Sequence, residues 1–423
     1  MRYRHRVLAF LFLLSMITYL DRICIAVAGT EMQRDLNLSA SQWGWVVGIF
    51  ALSYGLFEIP TGALGDRIGP RKVLTRIVLW WSAFTSLTGL VSNYYVLLAT
   101  RFAFGAGEAG AYPNSSSSIS RWFPLVERAR AHGTVWMASR LGGALTPLLV
   151  VPIVAAYGWR MAFYLFGIMG VVWAVVWYAW YRDYPTEKKG VTREEIEEIG
   201  PGSARAAHHG LPWGEALKRG NLWKIMLMYH TYCWGSYFYL SWMPTYLRTG
   251  RGFTADEMKI YAMLPFLAGA LGNIVGGSLS DMLVRRFGLR IGRKTVGAAG
   301  LAASALCIFG TAITPDRHIA VALLTLGYFS MDCMLPVSWA ICLDVGRKHA
   351  GAVTGSMNMA GQMGSFLSSI AFGRLVDAFG GRYDIPLLFF SVMLAVSAWI
   401  FTRIDPTEQL VREAVPDPVP VPA

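Results

Sequence analysis

The 423-residue chain is too apolar and too sparsely charged to be an ordinary water-soluble protein. Hydrophobic residues make up 54% of the sequence and charged residues only 15%, whereas soluble domains carry about 25% charged residues. The net charge of +12 would also suit a nucleic-acid binder. Lys and Arg, however, lie in short clusters between long apolar runs, as they do in the loops of membrane proteins. The composition therefore predicts an integral membrane protein without a nucleic-acid partner.

Twelve apolar runs are long enough to cross a bilayer as helices. A membrane-spanning helix needs about 20 residues for a hydrocarbon core of roughly 30 Å. On that measure the predicted spans cover 7–29, 43–66, 73–92, 95–118, 132–157, 159–181, 222–247, 258–283, 294–314, 318–343, 350–379 and 384–404. The expected fold class is an all-α membrane protein with twelve transmembrane helices.

A polar and charged stretch divides these spans into two sets of six. We expect a first six-helix half at 1–181, a cytoplasmic linker at 182–220 and a second six-helix half at 221–405. Residues 406–423 are rich in Pro and are expected to form a disordered tail. With the N-terminus inside, 26 Lys and Arg fall on the cytoplasmic side and seven on the other. Both termini are therefore expected in the cytoplasm, in a multi-pass protein of the cell membrane, in bacteria the inner membrane.

The sequence shows no pattern of a disulfide, a metal site or an enzyme. The five cysteines are odd in number, lack C-x-x-C spacing and lie within apolar runs, which is typical of small buried hydrophobes. There is no His and Glu metal spacing, no phosphate-binding loop and no nucleophile with a base. An enzyme or a transporter-derived sensor is therefore the weaker alternative to a transporter.

A loop motif occurs at equivalent places in the two halves. The first copy, after the second span, contains Asp66, Arg67 and Arg71, and a longer copy after the eighth span contains Asp281 and Arg293. The two Asp residues are 215 positions apart, so the sequence predicts pseudo-symmetric halves related by duplication. In such transporters the substrate sites lie near the midplane, between the repeats. Each loop alone would also suit a basic cytoplasmic turn, but the repeated G-x-x-x-D skeleton favours a gating or conformational role.

The stretch from Gly62 to Lys72 resembles the G-x-x-x-D-R-x-G-R-R/K signature of the major facilitator superfamily. Four more stretches are similar to its anion:cation symporter branch, which includes hexuronate, galactonate and glucarate transporters and animal sialic acid, glutamate and phosphate carriers. They are YLDR at 19–22, RFAFGAGEA at 101–109 with YP at 112–113, RWFP at 121–124, and WMPTYL at 242–247. The resemblance implies proton-coupled symport of an organic anion into the cytoplasm by alternating access, above all of a sugar acid such as a hexuronate, aldonate or aldarate. We expect a monomer in the lipid bilayer, with protons as the coupling ion and no cofactor.

Ionisable residues in the middle of the spans are the candidate site. The midspan arginines are Arg22, Arg101 and Arg140. A charge at bilayer depth costs at least about 2.5 to 3.5 kcal/mol and is usually functional. Arg101 and Glu108 share a helix face with Gly105 and Tyr112. Asp21 lies about 21 Å from the inner end of its span and Arg101 about 9 Å from the outer end of its own. These depths coincide, so we expect Asp21 or Arg22 to contact the Arg101 and Glu108 face.

Arg140 should lie near the level of Glu108, because it is about 12 Å from the inner end of the fifth span. Three arginines and two acids leave a local charge of +1, which suits an organic anion since the guanidinium binds a carboxylate through two parallel hydrogen bonds. A buried salt-bridge network that only joins helices is the alternative.

The resemblance implies a role for each residue that matches the symporter pattern. Residues matching Asp21 and Glu108 are proton-coupling acids, those matching Arg22 and Arg101 bind the substrate anion, and the one matching Tyr54 lines the site. Proton symport is thereby favoured over the alternative function on the same fold, exchange of organic anions or organophosphates without net proton flux.

Two positions depart from the symporter pattern. Arg140 stands where Gln is more usual, which leaves open a second carboxylate, a phosphate or tighter anion binding. Glu58 also stands where Gln is commoner and is expected to act in gating. The expected substrate-binding set also includes polar and aromatic residues, with helix-to-helix hydrogen bonding as the alternative for the second half: Tyr112, Tyr237, Trp339, Asn358 and Gln362. Asp332 is a further candidate acid.

Overall fold

The structure is a computed structural model, and it describes residues 2–199, 213–346 and 350–410. Within these ranges the side chains at positions 59, 62, 63, 66, 67, 125, 126, 128–130, 350 and 351 are outside the description. The described residues form helices joined by short connections and contain no strand. The predicted all-α fold is confirmed.

Six membrane helices make up the first half. They are α1 (Tyr3–Val27), α2 (Ala40–Ile68), α3 (Pro70–Thr88), α4 in two pieces (Tyr94–Glu108 and Ala111–Trp122), α5 (Leu125–Tyr157) and α6 (Trp159–Trp180). Helix α1 packs on α5, α2 on α4, and α3 on α6. A short helix at Gly29–Asp35 connects α1 to α2 on the outer side.

The second half repeats this arrangement. It contains α7 (Gly220–Ser241), α8 (Met263–Phe287), α9 (Leu289–Ile313), α10 (Arg317–Gly346), α11 (Ala350–Ala378) and α12 (Asp384–Arg403). Here α7 packs on α11, α8 on α10, and α9 on α12. These pairs correspond one for one to those of the first half, so the packing has the pseudo-symmetry that the sequence repeat predicts.

Seven of the twelve helices are long and apolar enough, by length and composition alone, to cross a membrane: α1, α5, α6, α8, α9, α10 and α12. Among the other five, α4 is interrupted at residues 109 and 110, and α11 carries a polar stripe that includes Asn358 and Gln362. Polar residues and breaks of this kind are tolerated at membrane depth where protein covers them. The break in α4 and the stripe on α11 are therefore expected to be covered by protein.

The repeated loop motif forms the same turn twice. Gly69 separates α2 from α3 with φ 87°, and Gly288 separates α8 from α9 with φ 83°. Both angles lie in a region that residues with a side chain rarely adopt, so glycine permits one helix to follow the other with a single residue between them. The duplication inferred from the two Asp residues thus extends to the backbone of the turn.

The described part of the linker is attached to the first half. A short helix at Arg193–Ile199 places Glu195 where its carboxylate accepts the backbone N–H groups of Tyr3 and Arg4 at 3.1 and 2.9 Å. The buried Arg4 side chain donates to Glu198 at 2.7 Å and to Glu127 of α5 at 3.1 Å. Acidic groups are favourable at a helix N-terminus, so the linker caps α1. The predicted tail is described only as far as residue 410, and the rest lies outside the described residues.

The two halves meet closely on the outer side of the membrane. At the outer ends of α2 and α11, the backbone N–H of Ser41 donates to Asp377 at 2.7 Å. Nearby, Arg248 of the second half forms a 3.5 Å ion pair with Glu31 of the first. The α2–α11 contact continues inward to Glu58. The conformation is therefore one in which the outer side of the interface is closed.

Candidate substrate site between the halves

Helix α4 is broken beside the predicted site. The sequence predicts one helix over 95–118, but the helix ends at Glu108 and restarts at Ala111. Gly110 between them has φ 86°, and a Cβ added there would lie 2.7 Å from Cβ of Thr61. Only glycine suits both the backbone angle and the close approach of α2. The prediction of a continuous span was wrong here, although Gly110 and Pro113 are a signal for a break.

Arg22 and Glu108 form a buried ion pair. The Arg22 Nε atom donates to the Glu108 carboxylate at 2.5 Å, and Glu108 is fully buried. The Arg22 guanidinium also lies over the Tyr54 ring, 4.6 Å from its centroid, and over Phe50 at 5.2 Å. Contact between Arg22 and the Glu108 face of α4 is thereby confirmed. Gly105 on that face allows α2 to approach, since an added Cβ would lie 2.6 Å from the Phe50 carbonyl oxygen.

Arg101 and Asp21 are buried with few direct partners. The Arg101 Nε atom makes no hydrogen bond to the part of the chain that the structure describes. The Asp21 carboxylate faces the indole N–H of Trp81, outside good hydrogen-bond geometry. Asp21 and Arg101 interact electrostatically, and the Arg101 guanidinium lies 4.5 and 5.2 Å from the ring centroids of Phe104 and Phe50. Buried polar groups are nearly always paired, and exceptions call for a functional explanation. A guanidinium that has no hydrogen-bonded carboxylate at this depth is suited to receive an anion from outside the protein.

Arg140 pairs with the second half instead of with the acids of the first. Its Nη2 atom donates to Asp332 at 2.9 Å and its Nη1 atom to the Tyr328 hydroxyl at 2.9 Å, both on α10. Asn273 of α8 donates to the other Asp332 oxygen at 3.0 Å. The sequence predicted that Arg140 lies near the depth of Glu108 in the membrane, but it did not predict Asp332 as the partner. Helix depth does not reveal which side chain of the opposite half faces Arg140.

Glu58 joins the halves through Asn358. The Asn358 amide donates to the two Glu58 carboxylate oxygens at 3.0 and 2.8 Å. Asn358 was expected to bind substrate, and in this conformation Glu58 occupies its donors. Gln362 lies one turn further along α11 and packs against Gly55 of α2. A Cβ added to Gly55 would lie 3.0 Å from the Cβ of Gln362. The Glu58 and Asn358 pair lies at the α2–α11 interface, where a gating residue is expected.

Aromatic residues from both halves lie at the interface between the halves, with Tyr112, Trp136 and Trp339 on the cytoplasmic side of the arginines and Tyr237 towards the outer side. The Tyr112 and Trp136 rings stack with centroids 4.7 Å apart, and Trp136 meets Trp339 edge-on at 5.7 Å. The Tyr112 hydroxyl is 3.1 Å from Ser15 Oγ. Tyr237 donates its hydroxyl to the carbonyl oxygen of Val47, at 3.2 Å. The predicted aromatic residues thus lie at the interface, and Trp339 contacts the first half.

Sequence reasoning did not single out Tyr19, Asn273 and Tyr328. The Tyr19 ring centroid lies 5.5 Å from the Arg22 guanidinium carbon. Asn273 donates to Asp332, and Tyr328 accepts from Arg140. Asn273 carried a usable signal, since an amide in the middle of a span is rarely without a partner. Tyr328 carried none, whereas Tyr19 opens the YLDR stretch at 19–22, in which no role was assigned to it.

The cytoplasmic motif residues pair within their own half. Arg293 donates to Asp281 at 3.0 Å and to Asp344 at 3.2 Å. Arg71 donates from its guanidinium to the Tyr178 carbonyl oxygen, and its backbone N–H donates to Asp183 at 2.9 Å. Burial raises the pKa of the Asp183 carboxyl. The side chains of Asp66 and Arg67 lie outside the described residues.

Comparison with known families gives the same assignment as the loop motif. Residues 11–369 match the model of the Major Facilitator Superfamily. The chain belongs to this superfamily. Such a match identifies a membrane transporter and not an enzyme, and it agrees with the pseudo-symmetric halves and the interior arginines. The protein is accordingly a multi-pass protein of the cell membrane.

Similar superfamily members are bacterial transporters of organic anions. A probable sulfoacetate transporter of Cupriavidus necator is 36% identical over 407 residues, covering 95% of this chain and 94% of its own length. A hexuronate transporter of Bacillus subtilis is 29% identical, with 88% of each chain covered. A probable L-galactonate transporter of Escherichia coli is also 29% identical, over 96% of this chain and 89% of its own.

Solved structures of the superfamily share the fold. A bacterial homologue of the lysosomal transporter Spinster, in an inward-facing and unoccupied conformation, superposes with a TM-score of 0.76 at 21% identity. That match covers 95% of this chain and 97% of the homologue. The xylose transporter of E. coli, in a partially occluded inward-open conformation, gives 0.70 at 15% identity, over 94% and 96% of the two chains.

Proposed function

We propose that the protein carries a small organic anion into the cytoplasm together with protons, by alternating access. The observation that supports this most directly is the buried Arg101, which has no carboxylate within ion-pairing distance among the described residues, beside the buried Asp21. The Asp21 carboxylate has only the poorly aligned indole N–H of Trp81 as a neighbouring donor. An ionised carboxylate with so little hydrogen bonding is costly in an apolar interior, so this arrangement suits a protonated Asp21. Arg101 then carries an unbalanced positive charge that a substrate anion compensates.

Glu108 provides the second coupled proton site in this proposal. While Glu108 is ionised, it holds the Arg22 guanidinium at 2.5 Å. Two unit charges about 4 Å apart attract by about 4 kcal/mol at an effective dielectric constant of 20. Protonation of Glu108 removes that attraction, so Arg22 becomes available to a substrate carboxylate. Anion binding and protonation therefore favour each other.

The substrate class follows from the arginines and from the relatives. Arg22 and Arg101 suit a carboxylate or another oxyanion, because the planar guanidinium donates two hydrogen bonds to such a group. The relatives are a probable sulfoacetate transporter, a hexuronate transporter and a probable L-galactonate transporter. We propose an organic acid of this size, with a sugar acid as the first class to test. We expect Tyr237 and Gln362, which lie at the interface, to contact its hydroxyl groups.

The decisive experiment measures protons and substrate together. The purified protein is reconstituted into liposomes with a pH indicator in the lumen and no imposed gradient, and sulfoacetate, glucuronate, galactonate or glucarate is added outside. Symport predicts that a transported anion acidifies the lumen as it enters. An anion exchanger would move labelled substrate only against a preloaded anion, without acidification, and that result would exclude the symport mechanism.

A further inference from the structure

The side of the site that is formed with the second half of the protein contains the ion pair between Arg140 and Asp332. Arg140 and Asp332 are 7% and 0% exposed, and their contact crosses from α5 to α10. Tyr328 and Asn273 supply further hydrogen bonds, one to each member of the pair. A buried ion pair is weak evidence for stability, because desolvation offsets much of the attraction. Its position at a substrate interface calls for another explanation.

The site thus contains guanidinium groups on two sides. Arg22 and Arg101 belong to the first group, on α1 and α4, and Arg140 approaches from α5 toward α10. Tyr19 interacts with both groups, since its ring centroid lies 5.5 Å from the Arg22 guanidinium and it is electrostatically coupled to Arg140. A ligand between α1, α4 and α10 would therefore meet cationic groups at both of its ends.

We propose that the substrate is a dianion with an acidic group at each end, and that Arg140 binds the second acidic group in place of Asp332. The proposal rests on the proposed transport of an organic anion and names its class. In the substrate-free conformation the Asp332 carboxylate holds the position of that second group. When the dianion binds, its distal carboxylate or sulfonate accepts from Arg140, while Asp332 takes up a proton, so that no uncompensated charge stays buried, and keeps its hydrogen bond from Asn273.

A substrate with a neutral group at its second end would not displace Asp332 from Arg140. Arginine keeps its proton in proteins, so a guanidinium that leaves Asp332 needs another anion to compensate its charge. A hydroxyl group accepts a hydrogen bond but brings no charge, and it would compete poorly with a carboxylate at 2.9 Å. The structure therefore favours a dianion over a monoanion of the same length.

The test compares pairs of ligands that differ only in the second charge. Glucarate and gluconate differ by a carboxylate against a hydroxymethyl group, as do sulfoacetate and 2-hydroxyethanesulfonate. Affinities are measured by isothermal titration on the purified full-length protein in detergent. We expect at least one dianion to bind about tenfold more tightly than its partner. Arg140→Gln should remove this preference, so that the two members of each ligand pair bind with equal affinity.

Two more variants separate loss of the second binding group from the cost of an unpaired Asp332 and from a general loss of anion binding. Arg140→Gln leaves Asp332 buried without its partner, so Arg140→Gln with Asp332→Asn tests the same loss in an electrically balanced background. Arg101→Gln should weaken both members of each ligand pair. Equal wild-type affinities within both pairs, equal loss of both members in the double variant, or no dianion binding would overturn the proposal. Binding in detergent needs no proton gradient, so a failure of proton coupling in liposomes would leave this result standing.

Discussion

At the residue scale, Arg101 is the most informative side chain. Arg101→Gln should weaken binding of the transported anion by about 1.5 to 3 kcal/mol, the worth of a hydrogen bond to a charged group. Arg101→Lys should recover part of that loss, because it restores the charge but not the planar pair of donors. Thermal-shift titration of each variant measures the effect. Arg160→Gln, at an exposed arginine paired with Asp35 on the outer side, is the control and should bind normally.

Asp21 allows a test that separates coupling from stability. Because neither carboxylate oxygen makes a hydrogen bond of good geometry and the neighbouring donor is the Trp81 indole, which an amide oxygen can also accept, Asp21→Asn removes an ionisable group while keeping an acceptor for Trp81. We expect a melting temperature equal to that of the wild type or higher, and a loss of substrate accumulation driven by a pH gradient. Wild-type accumulation by the variant would contradict a coupling role for Asp21.

At the element scale, the break in α4 depends on Gly110. Gly110→Ala should lower the free energy of unfolding by about 1 to 2 kcal/mol, the cost of a left-handed conformation for a residue with a side chain, with a further cost from contact with Thr61. Thermal unfolding in detergent measures this change. Gly133→Ala is the matched control, because Gly133 lies inside α5 with open space around it. It should be neutral or stabilising by up to about 1 kcal/mol, and equal losses in the two variants would contradict this view of the break.

The close packing of α2 on α11 closes the outer side. A Cβ added to Gly44 would lie 2.5 Å from the Ser369 carbonyl oxygen, so Gly44→Leu should keep the outer side open. A cysteine introduced at Val47, which is 3% exposed, should then react with a membrane-impermeant maleimide from outside. Gly355→Leu, on α11 where no atom lies within 4 Å of an added Cβ, should leave Val47→Cys protected. Equal labelling in both backgrounds would contradict the assignment.

The sequence predicted contacts within a half better than contacts between halves. Helix depth placed Arg22 beside Glu108 because both lie on helices of the first half with known direction. It could not find Asp332 opposite Arg140, since that contact depends on how the halves dock. The break at Gly110 was missed because a helix-period pattern continues across it, and the left-handed backbone depends on close packing against Thr61.

For the whole molecule, the charge balance of the site matters more than the overall charge of +12. The sequence expectation of a local +1 counted three arginines and two acids. Asp332 adds a third acid at the site, and Glu58, which interacts with Arg22, adds a fourth. With every group ionised the charges sum to −1, from three arginines and four acids: Arg22, Arg101, Arg140, Asp21, Glu58, Glu108 and Asp332. The site becomes positive only when two of its acids take up protons. This balance links the anion to the proton in the proposed cycle, while rocking of the pseudo-symmetric halves provides access from each side.

The central claim, that protonation of the buried acids drives anion uptake, is tested most directly with Glu108→Gln in liposomes. Glutamine preserves the size of the side chain and an acceptor for Arg22 but cannot exchange a proton. Counterflow of labelled substrate and accumulation under an imposed pH gradient are measured in the same preparation. The account predicts that the variant keeps counterflow and loses accumulation. Accumulation at the wild-type level would contradict it.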